Sequence, residues 1–232
     1  MPNATRPPRL AGSVWNYRLV GNEVLYLPLY RPDMVGSTIY SKDRNRHACT
    51  VTGATWGIQG RSFGGDGDNI LSDSVASAPT AFIALTWWKR LGNSGGATSD
   101  LYHAVLRGIN GYNPNCIFVS KDGTTVNVAA NIGGVGEVDT IAITAADWHL
   151  IGSIWTGSSL YATADGTVGA GNETAGTLEV WTHKVLLGIV DATTYLTNGI
   201  IGDAWIINQA SSLASALVVV NRIYWATKWR YQ

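Results

Sequence analysis

VLYLPLYRPDMVGSTIYSKDRNRHACTVTGATWGIQGRSF, residues 24–63, reads as strand, polar loop, strand, turn, strand. In residues 24–30, Leu25, Leu27 and Leu29 fall on one face and Tyr26 and Tyr30 on the other, the two-residue period of a half-buried strand. Pro28 removes one ladder donor, which places the strand at a sheet edge or a bulge. Residues 41–47 are a polar loop, and the β-branched run Thr50, Val51, Thr52 stops at Gly53. This is an antiparallel β pattern.

Outward from that stretch, strand patterns recur at the short spacing of a sandwich. They fall at residues 81–89, 101–109, 115–121, 124–130, 138–143, 148–155, 160–164, 178–188 and 197–208. Asp122-Gly123 and Asp165-Gly166 are two-residue hairpin signals. Residues 208–227 form the one convincing helix, with Ser211 or Ser212 as its cap and Leu213, Leu217, Val220 and Tyr224 on one face. Residues 1–13 hold three of the seven prolines and no apolar period, so they read as an extended arm before a single domain at 14–232.

Several segments together resemble the laminin-G-like jelly roll of the concanavalin A-like lectin and glucanase superfamily. They are VLYLP at 24–28, the polar loop at 43–47, VTGATW at 51–56, the GRSFGGDGDNI run at 60–70, and TNGIIGDAWIIN at 197–208. The resemblance implies an all-β, antiparallel two-sheet jelly-roll sandwich with one short C-terminal helix. It also implies that the last strand returns beside the first, as Greek-key connections require.

Composition narrows the partners. Charged residues are 14% of the chain, below the roughly 25% of an average soluble domain, and net charge is zero. Scattered Lys and Arg give no basic stripe to neutralise phosphates, which argues against nucleic acid. No stretch reaches the roughly 20 apolar residues of a membrane span, and residues 1–13 lack the apolar core of a signal peptide. The expected route is synthesis in the cytoplasm and residence on a virion or extracellular surface, reached without a signal. Cys49 and Cys116 could pair once, or stay as two buried thiols.

The superfamily includes glycoside hydrolases, whose retaining members set two carboxyl groups about 5–5.5 Å apart. Glu137-Val138-Asp139 begins the glucanase pattern, but Ile141 and Ala142 stand where its second Glu belongs. His47, His103, His149 and His183 serve no nucleophile elbow. These absences predict a protein that binds rather than catalyses. For metal, Asp66, Asp68 and Asn69 in a Gly-rich turn offer oxygens suited to Ca²⁺, the one cofactor considered, while a tight turn whose Asp and Asn side chains bond their own backbone is the favoured reading.

Aromatic residues supply the candidate binding surfaces, because indole and phenol rings stack on sugar C–H faces and also anchor protein contacts. Adjacent Trp87 and Trp88 must point to opposite faces of a strand, so one belongs to the core and the other to an outer face. With Trp155 and Trp181 they are the candidate ligand contacts. Pro7, Pro8, Trp15, Tyr17, Trp229 and Tyr231 are the candidate assembly contacts. Two functions are therefore expected. The first is a structural or adhesive module of a virion, such as a capsid decoration or fibre component, held by a homo-oligomer or by other virion proteins. The second is a lectin-like glycan binder, with calcium as a possible aid.

Overall fold

The computed structural model describes residues 21–64, 67–73, 75, 81–92, 102–109, 115–122, 125–132, 135–144, 147–171, 184–188, 197–208 and 212–232; for 102–138 and 140 the backbone alone is described. Two antiparallel sheets face each other. Sheet A contains β1 (Glu23–Pro28), β4 (Thr55–Gly57), β5 (Gly60–Gly64), β7 (Phe82–Arg90), β12 (Trp148–Trp155), β13 (Leu160–Ala164), β14 (Thr167–Val168) and β16 (Asn198–Asn208). Sheet B contains β2 (Thr38–Tyr40), β3 (Ala48–Thr52), β6 (Asn69–Ser72), β8 (Tyr102–Ile109), β9 (Asn115–Asp122), β10 (Thr125–Ile132), β11 (Val135–Ile143) and β15 (Lys184–Leu187). The helix α1 (Leu213–Thr227) follows β16. The chain is a β-sandwich with one C-terminal helix, as the sequence predicts. Residues 1–20, and with them the arm, Pro7, Pro8, Trp15 and Tyr17, lie outside the described residues.

The opening strand does meet the closing one: β1 pairs antiparallel with β16, Leu25 opposite Ile206 and Leu27 opposite Ala204. Leu25, Leu27 and Leu29 enter the inter-sheet core with Phe63, Ile70, Trp88, Ile151, Val185, Ile201 and Ile206. The alternate residues of sheet A face the other way and are also buried. Tyr26, Ile83, Leu85, Trp87, Leu150, Ile154 and Trp205 pack under Ala216, Val220 and Ile223 of the helix. Sheet A is thus buried on both faces, which explains why β7 and β16 read as near-continuous apolar runs. Ser212 caps α1 by accepting from the Ser215 amide. The inward helix face is Ala216, Val220, Ile223 and Thr227, a rotation from the expected Leu213, Leu217 and Tyr224, which flank the contact half-buried.

A bulge in β16 sets up the chain end. Ile201 points into the inter-sheet core and so do Ala204 and Ile206, so the inward parity shifts by one residue at the break in register between Ile201 and Ala204. Bulges re-aim side chains in this way. Asp203 is thereby turned toward the helix side, fully buried. It accepts from the Tyr26 hydroxyl at 3.1 Å, the Tyr231 hydroxyl at 2.9 Å and Arg230 Nη1 at 2.9 Å. Gly202 beside it has no side chain because a Cβ there would run into the Tyr231 ring. Burial pushes the Asp203 carboxyl up to about 6 against the opposing pull of Arg230 and the two hydroxyls.

Cys49 is a free, buried thiol, pushed up to about 12 by burial and by the nearby carboxylates Asp73 and Asp43. Its strand β3 is four pairing steps from β9, which carries Cys116. At about 4.8 Å per step the two backbones stand far beyond the roughly 7 Å a disulfide spans. Within one chain they do not pair.

Two stability outcomes follow from the Asp203 contacts. Asp203→Ala removes the buried acceptor shared by Tyr26, Arg230 and Tyr231 and should cost about 3–5 kcal/mol in chemical denaturation, lowering Tm by roughly 2–4 °C per kcal/mol for a chain of this size. Because the folded-state pKa is raised, wild-type stability contains a component that falls as pH rises from about 4 to about 6 and is flat above, and Asp203→Asn should remove it. An Asp203→Ala variant that melts with the parent would contradict this account of the chain end.

Candidate functional site

The expected ligand contacts are largely core residues, which corrects their reading as a platform. Trp88 and Trp155 lie in the inter-sheet core, and Trp87 lies under α1 with its Nε1 donating to Thr227 Oγ1 at 2.7 Å. One of the adjacent tryptophans does face outward from sheet A, but the helix of the same chain covers it. Trp181 lies outside the described residues. Of the assembly candidates, Tyr231 is buried on Asp203, which removes it from any contact surface, whereas Trp229 is exposed.

The Gly-rich turn engages itself. Asp68 Oδ2 accepts from the Gly64 amide at 2.7 Å and Asn69 Nδ2 donates to the Gly67 carbonyl at 2.9 Å. Asp66 lies outside the described residues. Among the described residues no cluster of three His, Cys, Asp or Glu side chains is placed to hold a metal ion. Asp139, from the partial glucanase pattern, accepts from the Ala162 amide at 2.8 Å, a clasp between β11 and β13. The side chain of Glu137 lies outside the described residues.

A different place gathers chemistry. A cleft of about 410 Å³ opens where β12, the β13–β14 hairpin and the end of α1 meet, lined by Trp148, His149, Asp165, Tyr224, Asp147 and Lys89, with Trp87, Tyr231 and Gln232 behind them. Its aromatic wall is one continuous stack. Tyr231 lies 4.7 Å from both the Trp148 and the Trp87 ring centroids, and Trp87 lies 5.9 Å from Tyr224. Trp148 Nε1 has no hydrogen-bond partner.

The polar wall is held by the Asp165-Gly166 hairpin, the turn expected from sequence. Both residues have positive φ, 52° and 85°, as a type I′ turn requires. That turn directs Asp165 back onto β12, where Oδ2 meets His149 Nδ1 at 2.6 Å and Oδ1 accepts from the Leu150 amide at 2.9 Å. The other ring nitrogen of His149 lies 2.8 Å from the Thr144 carbonyl oxygen. Both partners are acceptors, so only the doubly protonated imidazolium satisfies them at once. Burial opposes that charge, and the Asp165 hydrogen bond and charge with the Thr144 carbonyl outweigh it, so the His149 pKa is raised. Trp148 and Lys89 are cross-strand partners of β12 and β7, and the docking of the helix adds Tyr224 to them; no sequence motif marks the three as neighbours.

Comparison with known proteins confirms the fold and does not fix a family. No family model matches the sequence, and no curated protein matches it. Solved structures do match. The sialidase of Trypanosoma rangeli bound to the inhibitor DANA superimposes with a TM-score of 0.61 at 10% identity, over 86% of this chain and 32% of that one. The botulinum neurotoxin serotype D binding domain gives 0.62 at 10% identity, over 89% of this chain and 52% of that one. The serotype G binding domain gives 0.62 at 12%, over 88% and 51%. The chain therefore spans about a third of the sialidases and about half of the neurotoxin fragments. The expectation of a chain without catalysis is corrected here. The same fold occurs in proteins that are enzymes, the sialidases, as well as in binding domains. The missing glucanase carboxylate argued against one hydrolytic chemistry only.

The His149–Asp165 pair has a pH signature. Its folded-state pKa is raised, so the stability it lends is fully present below the unfolded value of 6.5 and is lost as pH rises through the folded one. Urea unfolding of the parent and of His149→Gln should show a gap that is widest at acid pH and narrows on the alkaline side. A gap independent of pH would mean that the imidazolium is not formed.

Proposed function

We propose that the chain is a carbohydrate-binding module of the jelly-roll class, holding a saccharide in the cleft between β12, the β13–β14 hairpin and α1. One observation carries the reading: Trp148 and Tyr224 face the same space as Asp147, Asp165 and Lys89. Sugars present apolar C–H faces to rings and hydroxyls to carboxylates and amines, and a small cleft with a few convergent polar groups suits that pairing. The binding-domain neighbours support a recognition role, and the residue pattern at 24–70 and 197–208 supports the laminin-G-like branch of the class.

A second reading, a virion-surface module that assembles through protein contacts, is favoured by the exposure of Trp229. Sedimentation of native material with capsid or tail proteins would favour it over the first.

The glycan reading is tested on an array, in calcium and in chelator. Hits should lose affinity by about tenfold or more on Trp148→Ala or Tyr224→Ala, the order expected for one ring–sugar contact, with Trp229→Ala as an unaffected control. An array with no hits, or hits insensitive to both cleft substitutions, would remove the reading.

A further inference from the structure

The helix α1 is apolar on both sides. Its inner face, Ala216, Val220, Ile223 and Thr227, is buried on sheet A. Its outer stripe runs Val218, Arg222, Trp225 and on to Trp229 in the turn that follows, spaced at i, i+4, i+7 and i+11. Val218 is 70% exposed, Trp225 63% and Trp229 66%. A solvent-facing stripe ordinarily carries charged and polar residues; here Arg222 is the one charged member, and the exposed valine and tryptophans call for cover. Ile58, 84% exposed, stands at the β4–β5 turn and shares with Trp229 a groove of about 330 Å³ that also involves Tyr30 and Arg230.

Charge decides what can cover this face. Residues 53–64 and 212–232 contain no Asp or Glu. Arg222 and Lys228 make no ion pair among the described residues, and Lys228 Nζ lies 4.0 Å over the Trp225 ring. Arg230 lies 4.6 Å from the Tyr30 ring and 5.3 Å from the Trp229 ring. Near Tyr30, Asp33 is already paired with both Arg31 and Lys42. A second copy of the chain docked face to face would set Arg222 and Lys228 against their own like. The N-terminal segment fits no better, since residues 1–22, the arm at 1–13 included, carry Arg6, Arg9 and Arg18 and no acid. A cover that complements these cations is anionic.

We propose that this face docks on the surface of an anionic phospholipid bilayer. Indole side chains settle at headgroup depth, and neighbouring Lys and Arg meet lipid phosphates and carboxylates. Separate apolar tips, Ile58 from a hairpin and Trp225 and Trp229 from the helix end, rise beside cations as insertion into a headgroup layer requires. The helix lies along the surface and does not cross it. No helix among the described residues is long and apolar enough to span.

Flotation of the full chain with vesicles tests the proposal, using phosphatidylcholine alone and phosphatidylcholine mixed with phosphatidylserine. The chain should float with the mixed vesicles at low salt, stay behind with the neutral ones, and be released by added salt. Trp229→Ala and Ile58→Asp should each reduce the bound fraction by about tenfold, and Arg222→Gln by about fivefold, all with an unchanged melting temperature because these side chains hold no core. The proposal is overturned if the parent does not float with the anionic vesicles, or if Trp229→Ala and Ile58→Asp float as the parent does. It is equally overturned if the face binds an acidic polypeptide such as polyglutamate while ignoring lipid.

Discussion

A single buried carboxylate ties this molecule together. Asp203 sits in the last strand, and its partners come from the first strand, Tyr26, and from the chain end, Arg230 and Tyr231. An ionised carboxylate in an apolar interior is tolerated only when its charge and lone pairs are matched. The sequence supplies the match from two places far apart in the chain, Tyr26 and the adjacent Arg230 and Tyr231. That match anchors the turn after α1 together with the stacking of Tyr231 on Trp87 and Trp148. With it, the aromatic layer closes over sheet A: Tyr26 stacks on Trp205 at 5.3 Å, and Tyr231 lies between Trp87 and Trp148.

The cleft is a consequence of that closure. Its floor is Trp87 of β7, and one wall is Tyr224 and Tyr231, which the docked helix and the turn after it bring into place. Its other wall is the Asp165-Gly166 hairpin, where a carboxylate holds an imidazolium against β12. Rigid aromatic rings on one side and fixed charges on the other lower the ordering cost of holding a ligand. The same docking turns the Val218–Trp229 stripe outward, so that one helix walls the cleft on its flank and presents an apolar, cationic surface on its back.

Much of the fold was legible in the sequence, and the reasons are local. Period-two alternation at 24–30, the Asp165-Gly166 turn and the capped helical run after Asn208 each announce their structure within a few residues. Strand boundaries from β7 to β13 fall within a few residues of those expected. The site was not legible in the same way. Trp87 and Trp88 were rightly placed on opposite faces of β7, but nothing local says that a helix over a hundred residues later buries the outer one. Trp148 and Lys89 meet through the pairing of β12 with β7, Tyr224 joins them only through the docking of α1, and no spacing rule records either. Asp203 was visible as part of a strand pattern, while its role depends on a bulge that shifts the inward parity by one residue. The GDGDN turn shows the opposite difficulty: a local pattern suited to a cation, two of whose side chains are occupied with their own backbone.

The central claim is that the docked helix makes the cleft and that the cleft is where ligand binds. An indole ¹H–¹⁵N spectrum of the chain, titrated with a saccharide it retains, tests it most directly. The account predicts that the Trp148 indole signal moves, with a smaller shift at Trp87 behind it, while Trp88 and Trp205 in the core stay still. Shifts confined to Trp225 and Trp229, with Trp148 unmoved, would contradict it.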